Sequence, residues 1–336
     1  MNKVLLGLVW GVALAPVASA QLWETPQATV RQEVLKDFSV AGNVLQGPET
    51  RVTLDVSGGR VVGVLVEAAT GTALARGVAA AWGMREADLP QLVRQLSSSE
   101  LLASARRGFT EFTDESEQDM ITVKVTGQGA QVRWRAYLAL KIWPDAAFPA
   151  TRNVSGRADA PNSIRIFSDF QCPYCRDLWH ETLPGWARQT TQYRVAHYHF
   201  PLDFHKNAFA AAEASECAAA QGAFWKMADQ IFAGFDVWNR LSARDAATQF
   251  RTYAGNAKLT PATFEKCMTQ RSSRAVVDAQ IKAGLTLGVK GTPTVFLNGM
   301  KLQNYTDASE WAQVQAVTTA KPSAAQLIES RLAQFR

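Results

Sequence analysis

Cysteine is scarce in this chain and absent from its first half. The four cysteines sit at 172, 175, 217 and 267. Histidine is equally sparse, with none before residue 180. The first half therefore has neither thiol nor imidazole chemistry, and no catalytic motif is found in it. Charge of one sign is lacking too: 35 basic against 30 acidic residues give a net charge of +5, and the basic residues are scattered. That pattern does not suggest nucleic-acid binding. No apolar run after the N-terminus is long enough to span a bilayer, which takes ~20 residues.

What is present begins with the first twenty residues. Lys3 precedes an apolar stretch at 4–15, and Ala18-Ser19-Ala20 is a small-residue cleavage site. This reads as a secretory signal (1–20), with the mature chain starting at Gln21; a short membrane anchor is the alternative. Removing Lys3 lowers the net charge from +5 to +4. Export to the periplasm or another extracytoplasmic envelope compartment would let disulfides persist. Four cysteines confined to one half suggest a redox domain joined to a cysteine-free one, and the length suits about two domains.

Residues 51–67 read as two strands around Ser57-Gly58-Gly59, and 120–126 with 131–140 as a hairpin across Gly127-Gln128-Gly129. Residues 73–82 and 88–106 read as helices, with Asp88 as a cap. Residues 21–145 thus form a small α+β domain, whose role could be dimerisation, substrate docking or support. Residues 146–162, rich in Pro, Ala and Gly, read as a linker. Residues 163–336 then run strand (163–168), helix, strand (194–200), helical block, strand (294–298) and a final helix (323–335). This is a thioredoxin-like α/β order with a helical insertion at about 206–284.

Cys172-Pro173-Tyr174-Cys175 follows the first of these strands and opens a helix. A thiol attacks as its thiolate, and an ordinary cysteine is only ~3% ionised at pH 7. Unpaired N–H groups at a helix start favour the anion, and Arg176 adds a positive charge nearby. Cys172 is expected to be exposed and nucleophilic, and Cys175, one turn on, buried and resolving. Pro173 suits an early helical position. The spacing by itself also serves structural disulfides, zinc sites and haem attachment. Haem attachment needs a His after the second Cys, where Arg176 stands. Zinc needs two more ligands, for which His197 and His199 are the nearby candidates by type; ordinary strand histidines are the plainer reading. Thr292-Pro293, preceded by Gly288 and Gly291, leads straight into a strand.

Together these pieces resemble the DsbA-like thioredoxin family over about residues 161–336. The resemblance is carried by Phe167-Ser168-Asp169-Phe170-Gln171-Cys172-Pro173-Tyr174-Cys175, Phe200-Pro201-Leu202-Asp203-Phe204-His205, Ala211-Ala212-Glu213 through Cys217, Gly222-Ala223-Phe224-Trp225, and the stretch 288–299. It implies a thioredoxin fold with an all-helical insertion. It also implies a cis peptide before Pro293 that faces the cysteines, with Thr292 and Pro293 holding substrate. Some relatives resemble this chain in a second, structural disulfide, here Cys217–Cys267; two buried free thiols are the alternative. One departure matters: the family's buried carboxylate, six residues before the first cysteine, is here Ile166. Tyr174 also replaces the inter-cysteine His of DsbA, so a thiol less acidic than DsbA's ~3.5 is expected. His205 reads as a surface or capping residue.

The implied function is an exported protein thiol–disulfide oxidoreductase, foremost an oxidase. An envelope reductase or isomerase and a non-enzymatic peptide-binding or chaperone protein are the alternatives. Its expected partners are cysteine-containing protein substrates and a redox recycling partner, with no metal and no organic cofactor. Oligomeric state is left open.

Overall fold

The structure is a computed structural model that describes residues 22–335, apart from 32, 108–109 and 114–117. The expected signal segment, 1–20, lies outside the described residues. The chain divides into two compact units, one comprising residues up to 142 together with 312–336, the other 143–311.

The first unit is built on an antiparallel sheet. Its strands are β1 (Ser39–Ala41), β2 (Val44–Gln46), β3 (Thr50–Ser57), β4 (Arg60–Ala68), β5 (Thr110–Thr113), β6 (Asp119–Thr126) and β7 (Arg133–Leu140). They are arranged β1-β2-β3-β4-β7-β6-β5. The β3–β4 turn uses Gly58 and Gly59 at φ +55 and +76, where L side chains are strained. The helix Gly71–Ala81 is capped by the Thr70 hydroxyl, which accepts from Ala73 N. It packs on β3, β4 and β7, and Gly77 leaves room for Val66 beneath it. The expected single helix at 88–106 is two, Leu89–Leu96 and Ser99–Arg107. Three serines in a row, 97–99, break it, and Ser98 Oγ accepts from Leu101 N to start the second.

The boundary expected for the C-terminal half is wrong at its far end. Residues 312–336 belong to the first unit, not to the domain that precedes them in sequence. The final helix, Ala324–Ala333, lies against β3, β4 and β7. Tyr137 pairs with Leu65, so by strand alternation it faces away from Val66, and its ring lies 6.3 Å from Phe335. The sheet thus has helix Gly71–Ala81 on one face and the C-terminal helix on the other. Arg331 binds Asp55 at 2.7 and 3.1 Å, Tyr137 Oη donates to Asp55 at 2.9 Å, and Ser57 Oγ donates to the carbonyls of Val317 and Pro322. Burial, then the charge of Asp55, pushes the Tyr137 phenol far up. The sequence marks an amphipathic helix but not which sheet it covers.

The second unit holds β8 (Val154–Ser155), β9 (Asn162–Ser168), β10 (Tyr193–His199), β11 (Thr294–Leu297) and β12 (Met300–Lys301), ordered β12-β11-β9-β10-β8. β9 and β10 are parallel and the other pairs antiparallel. The helical connection between β9 and β10 and the return strand β11 make the thioredoxin-like core. Helices from Ala208 to Thr286 are inserted between β10 and β11. The linker expected at 146–162 is instead built into this unit. β8 pairs with β10, Phe148 is buried, and its ring lies 5.3 Å from Phe296. A two-residue edge strand carries too little periodicity to be read from sequence.

Phe167, Tyr198, Phe200 and Phe296 fill one face of this sheet. Within the insertion, Cys217 and Cys267 are bonded, with Cα atoms 5.8 Å apart, and join helices Ala208–Ala219 and Pro261–Gln270. Arg271 caps the second of these helices at φ 50 and binds Glu213 at 2.9 Å, beside the bridge. In the chain-entropy picture, closing a 50-residue loop contributes ~4 kcal/mol.

Candidate active site

β9 ends at Ser168, and a short turn brings the chain to Cys172, the N-cap of helix Pro173–Asp177. Pro173 occupies the first helical position, where no amide donor is needed. The helix widens into a π-turn over Leu178–Thr182 before Leu183–Ala187. Pro184 has no N–H for the carbonyl four residues back, which suits a change of hydrogen-bond register there.

Cys172 Sγ lies 3.3 Å from the Thr292 carbonyl oxygen, to which its thiol form can donate. The Thr292–Pro293 bond is cis and leads into β11, whose Thr294 pairs with Phe167 of β9. Sheet register therefore sets the proline loop opposite the cysteine helix. Both cysteines are free thiols. Cys172 is only 4% exposed, against the expectation of an open thiol. The Thr292-Pro293 loop reaches over the helix start and covers it. Tyr174, at 69%, is the exposed member of the motif.

The two sulfurs differ sharply in acidity. A hydrogen bond from Cys175 is the chief cause that brings Cys172 down to about 6. Backbone N–H groups of Cys175 and Tyr174 and the Thr292 side chain assist, against burial. Cys175 moves well up, first through burial and then through Cys172. The charge of Arg176, expected to help, is directed elsewhere. Its guanidinium lies near Asp177 and Asp236, at 3.2 and 3.6 Å, and over the Phe235 ring at 5.0 Å.

The acidity of Cys172 gives a pH prediction. Its folded value lies below the ordinary 9.0, so ionisation stabilises the reduced form. That stabilisation is complete above about pH 9, shrinks as pH falls, and is gone below about 6. Alkylation of the reduced chain by iodoacetamide should follow a thiolate titration with a midpoint near 6, and Cys172→Ser should lose it. A midpoint near 9 would contradict the geometry.

Beside the proline loop runs a groove of about 350 Å³, lined among others by Gly291, Thr292, Pro293, Lys301, Gln303 and Tyr305. No local motif points to Tyr305, whose phenol is pushed up chiefly by burial and then by Cys175.

Asp169 is the acid nearest Cys172 in the sequence, and strand alternation sets it apart from the position of Ile166. Ile166, the position expected to matter for a buried acid, is a plain core residue at 1% exposure. Asp169 is equally buried, and its carboxylate accepts from Gln171 N at 2.6 Å and Leu202 N at 2.9 Å. His205 Nδ1 lies 2.7 Å from it, so His205 is a hydrogen-bond partner of the buried acid rather than a free surface residue. Burial raises the Asp169 pKa, and these contacts oppose the rise. The readable signal was an acid three residues before a redox-type cysteine. Strand counting missed it because β9 has already ended there. His197 and His199 are buried among Phe170, Trp179 and Phe224, and His199 binds Glu216 at 2.9 Å.

A parallel β–helix–β core, a Cys-Pro-Tyr-Cys helix start and a facing cis-proline loop define a thioredoxin-fold unit with a redox-type cysteine pair. Residues 150–316 match the family model described as thioredoxin, and this half of the chain belongs to that family. The chain is 33% identical over 157 residues to the Na(+)/H(+) antiporter NhaA 3 of Salinispora tropica. That match takes 46% of this chain and 22% of the antiporter. It is 31% identical over 166 residues to NhaA 1 of Mycolicibacterium gilvum, taking 48% and 25% respectively. The chain thus spans about a quarter of the length of these curated relatives. Among solved structures, oxidised BdbD from Bacillus subtilis is similar at 19% identity and a TM-score of 0.44, covering 52% of this chain and 94% of that one. Alpha-DsbA1 from Wolbachia pipientis is similar at 18% and 0.43, covering 55% and 96%.

Proposed function

We propose that this chain is an exported thiol–disulfide oxidoreductase that exchanges disulfides with cysteine-containing proteins. The observation that carries this reading is the asymmetric pair: an acidic Cys172 against the Thr292 carbonyl, and a buried, weakly acidic Cys175 behind it. Export rests on the signal-like residues 1–20, and among the described residues no helix is long and apolar enough to cross a membrane.

As an oxidase, the chain starts with Cys172 and Cys175 bonded. A substrate thiolate attacks Cys172 Sγ, the internal bond breaks, and Cys175 departs with the electron pair and takes a proton. A second substrate thiolate then attacks the substrate sulfur of the mixed disulfide. The substrate leaves oxidised, Cys172 leaves as its thiolate, and a recycling partner must remove two electrons. Thr292 and Pro293 would hold an extended substrate segment by main-chain hydrogen bonds beside the groove.

A thiol held near 6, rather than near ~3.5 as in a strong oxidant, favours a second reading as a reductase or isomerase. There Cys172 attacks a substrate disulfide and Cys175 resolves the product. Redox titration of the pair distinguishes the two. A potential of roughly −120 mV supports the oxidase and roughly −270 mV the reductase. Insulin reduction that survives Cys172→Ser would reject both mechanisms, and a wild-type chain that reduces no insulin would favour a peptide-binding protein.

A further inference from the structure

We infer that Asp169 and His205 form a positioning pair for the resolving thiol, Cys175. This rests on the disulfide-exchange reading above and deepens it.

Asp169 touches both cysteines through its backbone. Its N–H points at Cys175 Sγ, 3.4 Å away, and its carbonyl accepts from Cys172 N at 3.1 Å. The side chain fixes the segment that carries these groups. Oδ1 accepts from Gln171 N, and Oδ2 accepts from Leu202 N and from His205 Nδ1. Both oxygens therefore face donors, and an amide in place of the carboxylate would set its own N–H₂ against one of them. His205 must carry its proton on Nδ1 to donate to a carboxylate. Its side chain is 18% exposed where that of Asp169 is 0%, so the buried acid reaches solvent through the imidazole. Gln171 braces the turn from its other end, with Nε2 donating to Asn239 O and Oε1 accepting from Asn207 N.

The step at issue is resolution of the mixed disulfide. Cys175 releases its proton, and its sulfur attacks Cys172 Sγ. The Cys172–Cys175 bond forms, the bond to substrate breaks, and the substrate sulfur leaves with the electron pair and is protonated. The substrate is reduced and the cysteine pair oxidised. Run backwards, the same step opens the pair during oxidation, so the role holds for either direction of electron flow. An N–H aimed at Cys175 stabilises its thiolate. The Asp169 carboxylate, held by Gln171 N, Leu202 N and His205 Nδ1, keeps that N–H in place. Asp169 meets the titratable Cys172 and Cys175 through its backbone and His205 through its side chain, Tyr305 interacts with both cysteines, and Asp203 and Lys206 flank His205 in sequence.

The test uses the full chain. A mixed disulfide formed at Cys172 with a small aromatic thiol is allowed to resolve, and thiol release is followed across pH for wild type, Asp169→Asn, His205→Gln and the double variant. We expect each single variant to slow release at pH 7, Asp169→Asn by about tenfold, the effect of one lost charge-assisted hydrogen bond. Both should move the profile to higher pH while the Cys172 alkylation midpoint stays in place. The double variant should be no slower than Asp169→Asn alone. His205→Gln, at the partly exposed rim, keeps the test decisive if Asp169→Asn does not fold. Wild-type rates and profiles in the variants that fold, or an equal shift in the Cys172 midpoint, would overturn the inference alone. A wild-type chain that reduces no insulin would overturn it together with the disulfide-exchange reading.

Discussion

Cys172→Ser should abolish disulfide exchange, and Cys175→Ser should convert the protein into a trap. Without the Cys172 sulfur no mixed disulfide can form, and the loss should be on the order of 10³-fold or more, the scale of removing a nucleophile. Without Cys175, attack on a substrate disulfide still proceeds, because Cys172 keeps the Tyr174 and Cys175 backbone N–H groups. The covalent complex should then accumulate and dissolve only on added thiol. The Cys172 thiol should become somewhat less acidic, since the Cys175 side chain is the chief cause lowering its pKa. Non-reducing gels and insulin turnover measure both outcomes. A Cys175 variant that turns over insulin as wild type does would refute the assigned roles.

The second large effect is at Asp55, in the first unit. It is 6% exposed and receives Arg331 through two nitrogens and Tyr137 through its hydroxyl. Arg331→Met strands a buried carboxylate, and breaking such a pair from one side costs about 3–5 kcal/mol. Urea unfolding of the first unit should show this loss. The triple variant Asp55→Leu, Tyr137→Phe, Arg331→Met should recover most of it, because it leaves no buried charge and no stranded hydroxyl. A loss below about 1 kcal/mol would mean the pair behaves like an exposed surface bridge. The sign is independent of the cysteine chemistry, so insulin turnover by the folded fraction reports on the two effects separately.

Several elements could be read directly from local sequence. Ser57-Gly58-Gly59 marked a hairpin because a tight turn between twisted strands needs positive φ. Cys172-Pro173 marked a helix start because proline fits where the amide is unused. Thr292-Pro293 before an apolar strand, together with the Cys-Pro-Tyr-Cys motif, was enough to anticipate the thioredoxin fold that the structure and the family match display. Each of these depends on a few neighbouring residues and on backbone sterics.

Other features depended on partners distant in sequence. Leu327, Ile328, Leu332 and Phe335 mark an inner side of the last helix, of which Ile328 and Phe335 are buried, but only the apolar underside of β3, β4 and β7 and the position of Asp55 determine where that side lies. β8 is too short to show a pattern and exists because β10 offers it an edge. The burial of Cys172 comes from a loop 120 positions away. Asp169 could be seen as the nearest acid, but its role depends on Leu202 and His205, which folding brings to it across 33 and 36 positions. The Cys-Pro-Tyr-Cys pair was therefore legible from the chain itself. Its acidity and the surroundings of its second thiol were set only in three dimensions, because burial and hydrogen bonding act through space and not along the chain.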